Sequence, residues 1–163
     1  MRPFRVLAIL LATASNAAPA FAQEVSESLP SRRVGGMAGL GNTFGGIGGS
    51  LELFLAHGRI SVLAGLGGVP NGGMAAAAAL RGHTGGSQHQ VFLEAALSPL
   101  AVSDAVGLSD GQTWYGPALS AGYRYTSREG VSFLAGGGAG WAASIEEFEP
   151  VLNVGIGYTW RGS

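Results

Sequence analysis

Glu52, Arg81, Glu94 and Arg124 each stand as the only charged residue in an otherwise small or apolar stretch, as in SLELFL and AALRGH. A carboxylate or guanidinium taken out of water must be paired or hydrated. Two Glu and two Arg in such settings therefore point to an ion-pair network. Such a network can be structural or can line a narrow polar path; the structural role is the expectation. His83 and His89 flank Thr84-Gly85-Gly86-Ser87, and His57 lies in Ala56-His57-Gly58. A His and a Ser could supply a base and a nucleophile, but nucleophilic catalysis also needs a third group to orient the base. In this glycine-rich setting they read as polar residues carried on turns.

Other chemistries find less support. Asp104, Asp110, Glu146, Glu147 and Glu149 could attract a divalent cation, but their spacing is not that of an EF-hand, and solvated loops are the expectation. The chain has no Cys, which excludes a disulfide framework and a thiolate zinc site. It has no G-x-G-x-x-G pattern, and its nine basic residues are all Arg, so a Walker phosphate loop is impossible. No catalytic, cofactor-binding or metal site is assigned, and no cofactor is expected.

The elements that carry these residues follow from composition and period. Of 163 residues, 29 are Gly and only 12% are charged, against about 25% in soluble domains. Residues 1–22 read as a secretory signal peptide: Arg2 and Arg5, an apolar run from Val6 to Ala12, then Ala20-Phe21-Ala22 as a small-x-small cleavage site. The run is too short for a membrane-spanning helix, which needs about 20 apolar residues. Without Arg2 and Arg5, seven Arg face ten acidic residues, a net charge of −3, which does not favour nucleic acid as a partner. Residues 23–32 form a short N-terminal segment, and 33–161 carry the fold.

Within 33–161 the side chains alternate with period two, the pattern of a strand with two unlike faces. Leu51, Leu53 and Leu55 oppose Ser50, Glu52 and Phe54. Val91, Leu93, Ala95 and Leu97 oppose Gln90, Phe92, Glu94 and Ala96. Leu119, Ala121, Tyr123 and Tyr125 oppose Ser120, Gly122, Arg124 and Thr126, with Tyr115 extending the apolar face. The spacing predicts eight strands, at 33–41, 45–55, 59–69, 74–82, 88–98, 114–126, 130–142 and 150–161. Pro70-Asn71-Gly72-Gly73 splits the uncharged run 60–80 into two strands and a turn, although Ala75–Ala79 favours helix intrinsically. Most strands are long enough to cross a bilayer when tilted, which takes about 9–11 residues. Lipid cannot satisfy an open sheet edge, so the sheet must close. The fold class is all-β: an eight-stranded antiparallel up-and-down transmembrane barrel.

In that barrel the apolar faces meet lipid, and Glu52, Arg81, Glu94 and Arg124 face the lumen. Tyr115, Tyr123, Tyr125, Trp141, Tyr158 and Trp160 are placed at the membrane interfaces, where amphipathic rings gather. With the N-terminus on the periplasmic side, the longest connections, 98–113 and then 144–149, fall outside, and the Arg residues cluster at the periplasmic end. The many lumen glycines leave room for water or let a tight barrel curve.

The whole mature chain, from Gln23 onward, resembles in architecture the small eight-stranded outer-membrane β-barrel proteins of Gram-negative bacteria. The local motif is the last strand, where Leu152, Val154, Ile156, Tyr158 and Trp160 match the amphipathic, aromatic-tipped strand typical of that family. Arg161-Gly162-Ser163 departs from the pattern, because the family's aromatic residue usually comes last. The resemblance implies outer-membrane insertion, recognition of the last strand by the outer-membrane assembly machinery, lipid as partner and no cofactor. The chain is expected to be a monomer. It is read as a noncatalytic protein with an envelope-structural, surface-interaction or minor permeability role. The alternatives are an outer-membrane lipid-modifying enzyme and a soluble periplasmic barrel that binds an apolar ligand between inward-facing apolar side chains.

Overall fold

A computed structural model describes residues 32–55, 58–69, 73–84, 88–100, 114–144 and 146–161. The expected signal peptide lies outside them, as do His57, Ser87, Asp104, Asp110 and the Gly162-Ser163 overhang. The eight strands are β1 (Arg32–Gly41), β2 (Gly46–Leu55), β3 (Ile60–Gly68), β4 (Met74–His83), β5 (His89–Pro99), β6 (Tyr115–Thr126), β7 (Val131–Ala142) and β8 (Glu147–Arg161). Each pairs antiparallel with its sequence neighbour, and β8 returns to β1 to close the barrel. The closing register sets Val34 against Trp160 and Gly41 against Asn153.

Period-two patterning produces this architecture directly. Along β3 and β4, residues alternate strictly between exposed and buried. The helix-favouring run Ala75–Ala79 is strand because each residue pairs with one of β3, from Gly67↔Ala75 to Leu63↔Ala79. Alanine's intrinsic preference of a few tenths of a kcal/mol per residue is outweighed by a ladder on which the barrel's closure depends.

Two connections differ from the expectation. The segment 144–149 is not a long loop: β8 begins at Glu147, which pairs with Ala142, so Glu147 and Glu149 are strand residues. The short link after β1 is not a simple surface turn. Asn42–Phe44 forms one turn of 3-10 helix, and all three residues are at most 1% exposed. Gly41 (φ 127°) and Gly45 (φ 71°) bracket this turn in conformations that residues with a Cβ rarely adopt. They bend the link into the barrel, where it closes the end carrying the β3–β4, β5–β6 and β7–β8 connections (the loop end). The start of β1, the end of β8 and the ends of the strands joined by the other three turns lie at the opposite end (the terminus end).

Candidate functional site

The inside of the barrel carries the charge. Glu52, Arg81, Glu94 and Arg124 come from β2, β4, β5 and β6, and each is at most 1% exposed. Arg81 grips Glu94 with Nη2 and, at 2.9 Å, with Nε, and its Nη1 lies 3.4 Å from Glu52 Oε1. Arg124 Nη1 donates to Glu52 Oε2 at 2.5 Å, and its Nη2 donates to Thr159 Oγ1 at 2.9 Å. The structure thus joins the four residues into one chain, Glu94–Arg81–Glu52–Arg124, with two charges of each sign. Each guanidinium also lies over an aromatic ring, Arg81 over Phe92 at 4.6 Å and Arg124 over Phe54 at 5.0 Å. Rings in this position stabilise a desolvated cation. Sequence reading placed Phe54 and Phe92 on the lumen face but missed this role.

Hydroxyls and the inward turn complete the network. Ser61 Oγ donates to Glu52 Oε1 at 2.6 Å, and Thr43 Oγ1 donates to Glu94 Oε1 at 2.7 Å. Thr43 thereby ties the plug to the ion pairs. Asn153 holds it from the other side by accepting the Thr43 backbone N–H at 2.9 Å. Only a Phe flanked by glycines in GNTFGG hinted at this plug in the sequence.

The glycines gain a more specific role than curvature or water space. A Cβ on Gly39 would lie 2.8 Å from the Phe44 ring, and one on Gly155 would lie 2.5 Å from it. Gly39 and Gly155 face each other across the β1–β8 seam. Gly122 and Gly136, facing across β6 and β7, make the same allowance for Phe92, with a Cβ at 2.5 and 2.8 Å. Facing glycine pairs are therefore seats for the large lumen side chains. A second apolar cluster, Leu100, Ala118, Ala142 and Val151 with Trp114 against it, packs at the loop end.

His83 and His89 point to opposite faces from strand ends rather than sitting on a turn. His83, last in β4, faces the lumen with Nε2 2.9 Å from Ser61 Oγ and 3.4 Å from Glu52 Oε1. Its Nδ1 is buried without a hydrogen-bond partner among the described residues. A Ser–His–carboxylate relay would need the carboxylate at Nδ1 and a reachable nucleophile, whereas Ser61 is fully buried. This cluster is therefore built as packing, not as a relay. His89, first in β5, lies outside against Tyr123 and Tyr125. Among the described residues no three His, Asp or Glu side chains converge on a metal-sized site.

The outer face is apolar: Leu51, Leu93 and Leu119 are each more than 60% exposed. Its aromatic residues fall into two groups. Tyr115 and Trp141 lie at the loop end, where Trp141 packs edge-on against Phe148, a residue the sequence reading did not single out. Tyr123, Tyr125, Tyr158 and Trp160 lie at the terminus end, with Tyr158 and Trp160 edge-on at 5.4 Å. Leu152, Val154, Ile156, Tyr158 and Trp160 share the outer face of β8. This is the inverse of a soluble ligand-binding barrel, which needs its apolar side chains inside.

No protein-family model matches the sequence, and a comparison with curated proteins finds no match. Among solved structures, the chain is similar to the N-terminal β-barrel domain of Pseudomonas aeruginosa OprF, with a TM-score of 0.57 and 19% sequence identity. The match covers 79% of this chain and 98% of that one. At this identity the likeness is one of fold: two closed eight-stranded barrels.

Proposed function

We propose that the chain is a noncatalytic integral protein of a Gram-negative outer membrane, whose work is to anchor and brace the envelope. One observation carries the reading: large apolar side chains cover the outside of the barrel while the ionised side chains of Glu52, Arg81, Glu94 and Arg124 are buried within. Only an apolar surrounding makes that inversion favourable, since exposed apolar area costs about 25 cal/mol per Å² in water. The two groups of aromatic side chains then mark the two interfaces, and the last strand, tipped by Trp160, is the segment read by the assembly machinery. The plug at Asn42–Phe44 and the ion-pair chain behind it favour bracing over permeability, because they fill the lumen from both sides of its centre. Residues 1–22 serve as the export signal, and the barrel acts as a monomer.

Expression of the full chain in a Gram-negative host tests this. The protein is expected in the outer-membrane fraction, released only by detergent, and migrating faster on a gel before boiling than after. Recovery in the soluble periplasm without detergent would overturn the reading.

A further inference from the structure

Two seams of the barrel stop short at the loop end. β6 and β7 pair only from Ala118↔Gly140, beside Pro117, but stay in such close contact that a Cβ on Gly116 would clash with the Trp141 carbonyl oxygen; the other seam is β4–β5. The β3–β4 ladder extends to Met74 and the β5–β6 ladder to Pro99, but β4 and β5 pair only from Ala78↔Leu97 to His83↔Phe92. Continuing their register would set Ala77 against Ser98 and Ala76 against Pro99. Pro99 has no N–H to give to such a ladder. Side chains on the two faces take up two of the groups that the split leaves over. Outside, Tyr115 reaches across Pro99, and its hydroxyl accepts the Ala76 N–H at 3.1 Å. Inside, Asn42 Nδ2 donates to the Pro99 carbonyl at 2.5 Å. The split is therefore held by two side-chain latches, one belonging to the lipid face and one to the plug.

The surroundings of the split suit a narrow apolar guest. From Ala75 to Ala78 the side chains of β4 are methyl groups on both faces, Ala75 and Ala77 inward, Ala76 and Ala78 outward. Leu97, Leu80 and Met74, the last 75% exposed, flank it outside. At its inner lip Ser98 is fully buried, and its Oγ has no hydrogen-bond partner among the described residues. A buried hydroxyl left unpaired is destabilising, so a ligand oxygen at that position would be favoured.

We propose that the loop-end half of the β4/β5 seam is a lateral binding site for a lipid acyl chain, which lies between Ala76–Ala78 and Leu97 and presents its carbonyl oxygen to Ser98 Oγ. The proposal rests on the membrane placement above. Tyr115 is the outer latch: while its hydroxyl holds Ala76 the lips stay together, and its release lets the chain pass between them. A backbone N–H freed there meets only hydrocarbon or the arriving carbonyl, which favours occupancy once the latch is open.

The full chain, refolded in phosphatidylcholine vesicles containing a phosphatidylcholine with a diazirine-bearing acyl chain, tests this by photolabelling and peptide mass spectrometry. Label on the outward residues Leu51 and Leu152 reports membrane insertion independently of the seam. Given that label, the expected result is additional label on the inward residues Ala75, Ala77 or Ser98. It should rise at least threefold in Tyr115→Phe, which keeps the ring and loses the latch, and fall in Ser98→Ala. Label confined to outward residues in both the wild type and Tyr115→Phe would overturn the proposal. So would label spread equally over inward residues far from the seam, such as Ser132. Absence of label on Leu51 and Leu152 would instead count against the membrane placement.

Discussion

Replacement of Arg124 by Met tests whether the ion-pair chain holds the barrel by charge balance. Arg124 is fully buried and gives Glu52 its shortest contact, at 2.5 Å. Without it, two carboxylates share one guanidinium: Arg81 already grips Glu94 and approaches Glu52 only at 3.4 Å. Removing one partner of a buried pair costs about 3–5 kcal/mol, mostly because the other charge is left uncompensated. Arg124→Met should therefore destabilise the barrel by that amount. The double variant Glu52→Gln/Arg124→Met leaves Arg81 and Glu94 paired in a neutral lumen and should regain about 2 kcal/mol, a coupling within the range for residues in one network. Urea unfolding in lipid vesicles, followed by the fluorescence of the three Trp residues and by gel mobility before boiling, gives both numbers. If Arg124→Met unfolds within about 0.5 kcal/mol of the wild type, or the double variant is no more stable than the single, charge balance in the lumen is not what holds these strands.

Two further predictions concern the plug and the outer face. Phe44→Ala removes a ring seated over Gly39 and Gly155 and should cost about 3–5 kcal/mol; in planar bilayers it should also produce ion conductance that the wild type lacks, and a silent variant would show that the plug does not seal the lumen. Leu51→Arg puts a cation in the middle of the outer face of β2, where Leu51 is 64% exposed; unfolding in vesicles should show a loss of about 2–4 kcal/mol, the cost of Arg at a bilayer midplane, whereas no loss would argue that this face does not meet lipid.

Much of the architecture is legible in residue order because a strand's two faces repeat with period two. Glu52 lies between Leu51 and Leu53, so placing either Leu toward lipid places the Glu toward the lumen. The strand limits read from that pattern agree with the structure to within one to three residues. Legibility ends where a side chain's partner comes from a distant strand. Nothing in period-two patterning reveals that Ser61 meets His83, because β3 and β4 bring them together only by their register, Ser61↔Arg81 and Ile60↔Gly82. The glycines likewise look like simple spacing in sequence. Gly39 and Gly155 acquire a purpose only when β8 closes on β1 and Phe44 comes to rest above both.

The sequence alone therefore determined the number of strands, their two faces and the antiparallel order of the barrel, since all three follow from local period and turn chemistry. Only the tertiary structure decided what fills the barrel. The link Asn42–Phe44 is three residues long and carries no periodic signal; it turns inward because Gly41 and Gly45 permit the bend and because Glu94, Pro99 and Asn153, all distant in sequence, offer partners inside. The split beside Pro99 has the same origin. A proline marks a possible break, but whether the freed groups find Tyr115 on one side and Asn42 on the other depends on strands that meet only when the sheet closes.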